Sequence, residues 1–192
     1  MTAVGAGGRG AVEAERDPVG VAREICLRQL AVRARSRAEL ARTLRRRGVA
    51  DDVAETVLDR LAAVGLVDDD AFATAVVASA RENRGLARRG LQVELRRRGV
   101  DDDVAAAALA EVENADEETV ARELVTRRLR TMAGLECQVQ LRRLVAMLGR
   151  KGYSTELAVR VVTDLLDTHG GPDDEFGHDD AAGLDGSGDE DD

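Results

Sequence analysis

Glu39-Leu40-Ala41-Arg42-Thr43-Leu44-Arg45-Arg46-Arg47-Gly48-Val49 returns twice in the chain. The second copy is Gly90-Leu91-Gln92-Val93-Glu94-Leu95-Arg96-Arg97-Arg98-Gly99-Val100. The third is Arg143-Leu144-Val145-Ala146-Met147-Leu148-Gly149-Arg150-Lys151-Gly152-Tyr153. Each copy has apolar residues four apart, a basic cluster, a glycine and one further apolar residue. Leucines at i and i+4 share one helix face. Basic residues in a last turn complement the negative end of the helix dipole. A glycine just beyond suits the left-handed residue that closes a helix, and Val49, Val100 or Tyr153 can make the apolar contact after it. The glycines lie 51 and then 53 residues apart. A period of that size signals an array of supersecondary units.

Working outward, each unit parses as three helices, the quoted motif ending the second. The first helices are expected over Val19 to Val32, Asp70 to Asn83 and Glu117 to Met132. Ser36 with Glu39 and Asp52 with Glu55 have capping-box spacing, and Ser154 is the expected cap in the third unit. The third helices carry Val53, Val57, Leu58 and Leu61; Val104, Ala108 and Leu109; and Leu157, Val161, Val162 and Leu165 on one face. Aromatics are 2% of the chain, namely Phe72, Tyr153 and Phe176. A core of Ala, Val and Leu suits short helices better than a sandwich or barrel. The fold expected is all-α: three tandem three-helix repeats in an elongated curved solenoid. The parts are a disordered Gly-rich arm (1–18), repeats at 19–67, 68–115 and 116–168, and a disordered acidic tail (169–192).

The formal net charge of −9 is misleading. Ten acidic residues and no Lys or Arg fall between Gly171 and Asp192, so 28 basic residues face 27 acidic ones elsewhere. The body is near neutral and the tail is an acidic block, expected either to tune binding by visiting the basic face of the third unit or to act only as a solubilising tail without contact to the body. No apolar run approaches the roughly 20 residues of a membrane span. Cys26 and Cys137 stand alone in helical patterns and read as free thiols of a cytoplasmic protein.

Sites of chemistry are not found. Gly5-Ala6-Gly7-Gly8-Arg9-Gly10 matches a dinucleotide fingerprint, but no strand can precede it. Asp185, Ser187 and Asp189 lack the glycine and twelfth-position Glu of a calcium loop. His169 and His178 have no partner at metal-ligand spacing. No nucleophile is presented beside a general base. Neither an enzyme nor a cofactor is expected. The arginine clusters recur at one place in each repeat, and equivalent positions of a solenoid line up. A basic partner-binding stripe of Arg45, Arg46, Arg96, Arg97, Arg142, Arg143, Arg150 and Lys151 is therefore expected, suited to phosphates or an acidic protein groove.

The chain resembles the RecX family of bacterial recombination regulators over about Val19 to Leu166. Four segments carry the resemblance: Arg35-Ser36-Arg37-Ala38-Glu39-Leu40 with Leu44 and Arg47-Gly48-Val49; Leu61 with Gly65-Leu66-Val67-Asp68-Asp69-Asp70-Ala71-Phe72-Ala73; Arg81 and Gly85 with Leu95 and Arg98-Gly99-Val100; and Arg142-Arg143-Leu144 through Gly152-Tyr153. The resemblance implies three three-helix modules. It further implies a monomer that binds the RecA recombinase within its single-stranded-DNA filament and inhibits ATP hydrolysis, strand exchange and coprotease activity, with weak direct contact to DNA. The competing class is a stand-alone helical DNA-binding protein, since triple-helical units with arginines imitate helix-turn-helix domains.

Overall fold

The structure is a computed structural model that describes residues 17–110, 112 and 114–169. Among these there are nine helices and no strand: α1 Pro18–Val32, α2 Arg37–Arg46, α3 Asp51–Ala63, α4 Asp69–Arg84, α5 Arg88–Arg98, α6 Asp102–Ala110, α7 Asn114–Leu129, α8 Cys137–Arg150 and α9 Thr155–His169. The all-α expectation holds. The expected arm and tail lie outside the described residues, apart from Asp17, Pro18 and the backbone of His169.

Helices α1–α3, α4–α6 and α7–α9 form three modules, each packed chiefly on itself. Each encloses its own core. Leu40, Leu44, Val57 and Leu58 are buried in the first, Leu91, Leu95, Phe72 and Leu109 in the second, and Leu144, Leu148, Val161 and Val162 in the third. The side chains are small, so each core is thin and each module is a marginal unit alone.

The three second helices end alike. Val49, Val100 and Tyr153 N–H groups donate to the carbonyls of Leu44, Leu95 and Leu148 at 3.1, 3.2 and 3.2 Å. Gly48, Gly99 and Gly152 hold φ of 76, 79 and 94°. This is the closure read from the repeated motif.

Some local expectations need correction. Asp52 is not a cap: α3 starts from Ala50, which makes no side-chain capping bond, and Asp52 lies in the first turn beside the positive end of the dipole. Glu55 instead pairs with Arg37 at 2.8 Å. Only half of the box at Ser36 forms: Glu39 N–H donates to Ser36 Oγ (3.1 Å), while the Glu39 carboxylate turns to Arg33 (3.1 Å). Helix α7 starts at Asn114 and stops at Leu129 rather than Met132. There Thr131 and Met132 N–H groups reach back only three residues, to Arg128 and Leu129, and the chain turns at Gly134. Ser154 does cap α9, accepting from Leu157 N–H at 3.2 Å.

Candidate partner-binding site

The motif does more than end a helix, because each copy after the first also makes a joint to the preceding module. At the first joint, the start of α2 meets the end of α5. Ser36 is fully buried and its hydroxyl donates to the Arg98 carbonyl at 2.7 Å. Arg42 adds bonds to the Arg97 and Arg98 carbonyls at 3.4 and 3.0 Å. Asp69 accepts from Arg37 N–H at 2.8 Å, capping α2 from the next module.

The second joint repeats this arrangement one module on. The start of α5 meets the end of α8: Ala87 N–H donates to the Lys151 carbonyl at 3.1 Å, and the Lys151 ammonium reaches the Arg84 carbonyl. The buried Tyr153 hydroxyl donates to the Gly85 carbonyl at 3.1 Å, and burial, with Glu117 nearby, pushes that phenol up to about 12. A β-carbon on Gly152 would lie 2.2 Å from Gly90 N, and one on Gly99 2.5 Å from the Ala38 side chain; one on Gly48 would meet nothing. Helices α8, α5 and α2 thus abut head to tail, each C-terminus against the next N-terminus, and their dipoles attract at both joints.

These joints determine what the basic residues can do. Arg45 pairs with Asp51 at 3.5 Å and Arg96 with Asp102 at 3.2 Å, an equivalent ion pair in each of the first two modules. Arg46 donates to Thr43 Oγ1 at 3.0 Å. Arg97 and Arg98 converge on Glu94 at 3.1 and 2.9 Å, and Arg84 approaches it at 3.4 Å. Glu94 is buried, which alone would raise its pKa. Hydrogen bonds from Arg98, Arg97 and Arg84 outweigh that and hold it at about 2. Arg98 also lies 5.8 Å over the Phe72 ring, a favourable cation–π contact. Lys151 is half-buried at the second joint, where burial and the charges of Arg84 and Arg127 lower its pKa.

The third module is different. Arg142, Arg143 and Arg150 are exposed, and with Arg128 they line a groove of about 720 Å³. Among the described residues none of these four has a carboxylate at ion-pair distance. The groove is completed by Met132, Leu144, Ala146 and Met147, so its floor is apolar. On another face of the module the charges are paired: Glu118 accepts from Arg122 and Arg160 at 3.0 and 2.9 Å, and Arg122 reaches Asp164 at 2.8 Å.

Of the eight expected stripe residues, the structure brings Arg142, Arg143 and Arg150 into one groove. Lys151 sits at a joint, Arg45, Arg96 and Arg97 have intramodular carboxylates, and Arg46 is bonded to the Thr43 hydroxyl. Arg128 was not among the expected residues, although its pairing with Arg127 in the sequence signalled a basic turn. Glu94 was missed as a counter-ion, although Arg97 and Arg98 at i+3 and i+4 are the spacing that would reveal one. Phe72 and Tyr153 are both buried, so neither offers a base a stacking surface. Among the described residues no three His, Cys, Asp or Glu side chains are placed to hold a metal ion, and no helix is long and apolar enough to cross a membrane.

Comparison with known proteins matches three family models in order: RecX first three-helix domain at residues 22–61, second at 68–109 and third at 116–162. The regulatory protein RecX of Thermobifida fusca is 49% identical over 161 residues, covering 84% of this chain and 87% of that protein. The regulatory protein RecX of Streptomyces coelicolor is 48% identical, covering 82% and 84%. In fold, the crystal structure of RecX from Lactobacillus salivarius is similar at a TM-score of 0.67 and 18% identity, over 78% of this chain and 97% of that one.

Proposed function

The chain belongs to the RecX family, and from that premise we propose that it is a cytoplasmic, non-enzymatic regulator that binds the RecA recombinase on single-stranded DNA and inhibits its ATPase, strand exchange and coprotease activity. The observation that carries this reading is the groove of the third module. Four guanidiniums stand there over an apolar floor without internal carboxylates, open to an acidic or phosphate-bearing partner. Arg96 and Arg97, then Arg45 and Arg46, are the remaining arginines of the proposed basic stripe. Those arginines already have internal partners, so they contribute less to the docked surface.

The buried aromatics argue against a protein that grips bare single strands by stacking. The test is association with RecA-coated single strand, free single strand and free duplex at physiological salt. The regulator reading expects clear preference for the coated strand. Equal or stronger binding to free duplex would replace it with a stand-alone DNA-binding protein.

A further inference from the structure

The third-module groove combines two features that a nucleic-acid backbone alone does not satisfy. Its rim carries Arg128, Arg142, Arg143 and Arg150, while Ala146 and the part-exposed Met147 give it an apolar floor above the buried Met132 and Leu144. Phosphates complement the rim but leave the apolar surface of Ala146 and Met147 uncovered. A fitting occupant has several carboxylates next to one large apolar side chain. Asp173-Asp174-Glu175-Phe176 has that composition, and Phe176 is the only aromatic of the chain outside the two buried in the modules.

The exit point of the chain agrees. Leu166, in the last turn of α9, lines a neighbouring pocket together with Leu129 at the end of α7 and Cys137 and Gln140 at the start of α8. Arg128 and Met132, which flank Leu129, line the groove. The seven residues from His169 to Phe176 span up to about 24 Å when extended, comparable to the about 21 Å length of α8, which carries most of the groove. Tethering also keeps its local concentration high.

We propose that Asp173-Asp174-Glu175-Phe176 docks in this groove as an internal competitor, the carboxylates on the four arginines and the Phe176 ring on Ala146 and Met147. The partner must then displace the tail before it can use these arginines. That regulatory meaning rests on the groove being the partner-binding surface; the contact itself does not.

The chain contains no tryptophan, so Phe176→Trp in the full-length protein places a single fluorescent reporter on the tail. With neither recombinase nor DNA present, the emission should lie at shorter wavelength than that of a free 170–192 peptide carrying the same substitution. Acrylamide quenching should be weaker as well. Molar salt, where the screening length falls to about 3 Å, should abolish much of the difference. So should Arg142→Glu/Arg143→Glu/Arg150→Glu. A second variant, Asp173→Asn/Asp174→Asn/Glu175→Gln, leaves every residue of the modules unchanged and should also release the reporter. Emission and quenching identical to those of the free peptide would overturn the proposal. So would a docked signal that survives both sets of substitutions. Because no partner is present, either result is independent of whether the groove binds RecA.

Discussion

The ends of α5 and α8 are two copies of one motif with different electrostatic outcomes. Both close by the same pair of backbone bonds around a left-handed glycine, and both dock against the start of the preceding second helix. At the end of α5, Glu94 collects Arg97 and Arg98, and Asp102 collects Arg96. At the end of α8 the positions equivalent to Glu94 and Asp102 are Met147 and Thr155, and Arg150 has no carboxylate among the described residues. The shared part of the motif makes the joint, while the acidic partners decide whether its arginines serve stability or remain open for binding. Counting arginines therefore cannot locate a basic surface; their counter-ions must be counted too.

The shared part should show the largest effect. Gly152→Val imposes both a strained backbone and a clash with Gly90, and should cost about 3 kcal/mol or more in urea unfolding. Gly48→Val has a similar φ but open space, so its cost should be only about 1 kcal/mol. Equal losses would show that the joint contributes nothing beyond the helix cap.

Next comes the neutralised end. Glu94→Gln leaves Arg98 and Arg97 without their buried carboxylate and should cost on the order of 2 kcal/mol at neutral pH. The folded state holds Glu94 at about 2 against an ordinary value of 4.5. Its contribution is therefore fully present above about pH 4.5 and drains away as pH falls toward 2. Melting temperature followed across that interval should fall less steeply in Glu94→Gln than in the unaltered protein.

The smallest effect on stability, and the sharpest probe of the comparison, is Met147→Glu. It places in the third module the carboxylate that the second already has, three residues before Arg150. Melting should fall only modestly, because Met147 is part-buried against the third core. Affinity for RecA-coated strand should fall about tenfold, the loss of roughly one charged contact. Unchanged affinity would mean that an open Arg150 is irrelevant.

The helices were legible because apolar spacing of three and four is written locally, and the glycine of each motif marks its own backbone requirement. The joints were not. Nothing near Ser36 announces that its hydroxyl will meet Arg98, 62 residues away. The same blindness placed Lys151 in the expected stripe, where the fold gives its ammonium to the Arg84 carbonyl. Asp52 was misread because two consecutive aspartates serve the first turn through the dipole as well as they would serve a cap. Glu94 was readable in principle, by its spacing to Arg97 and Arg98.

The central claim is that the open arginines of the third module, rather than the paired ones of the second, engage the recombinase. Inhibition of RecA's DNA-dependent ATPase by two correctly folded variants tests it most directly: Arg142→Glu/Arg143→Glu/Arg150→Glu and Arg96→Glu/Arg97→Glu. The first should lose inhibition by well over tenfold in the concentration required, while the second should remain within a few-fold of the unaltered protein. Full inhibition by the third-module variant, or a greater loss in the second-module variant, would contradict the account.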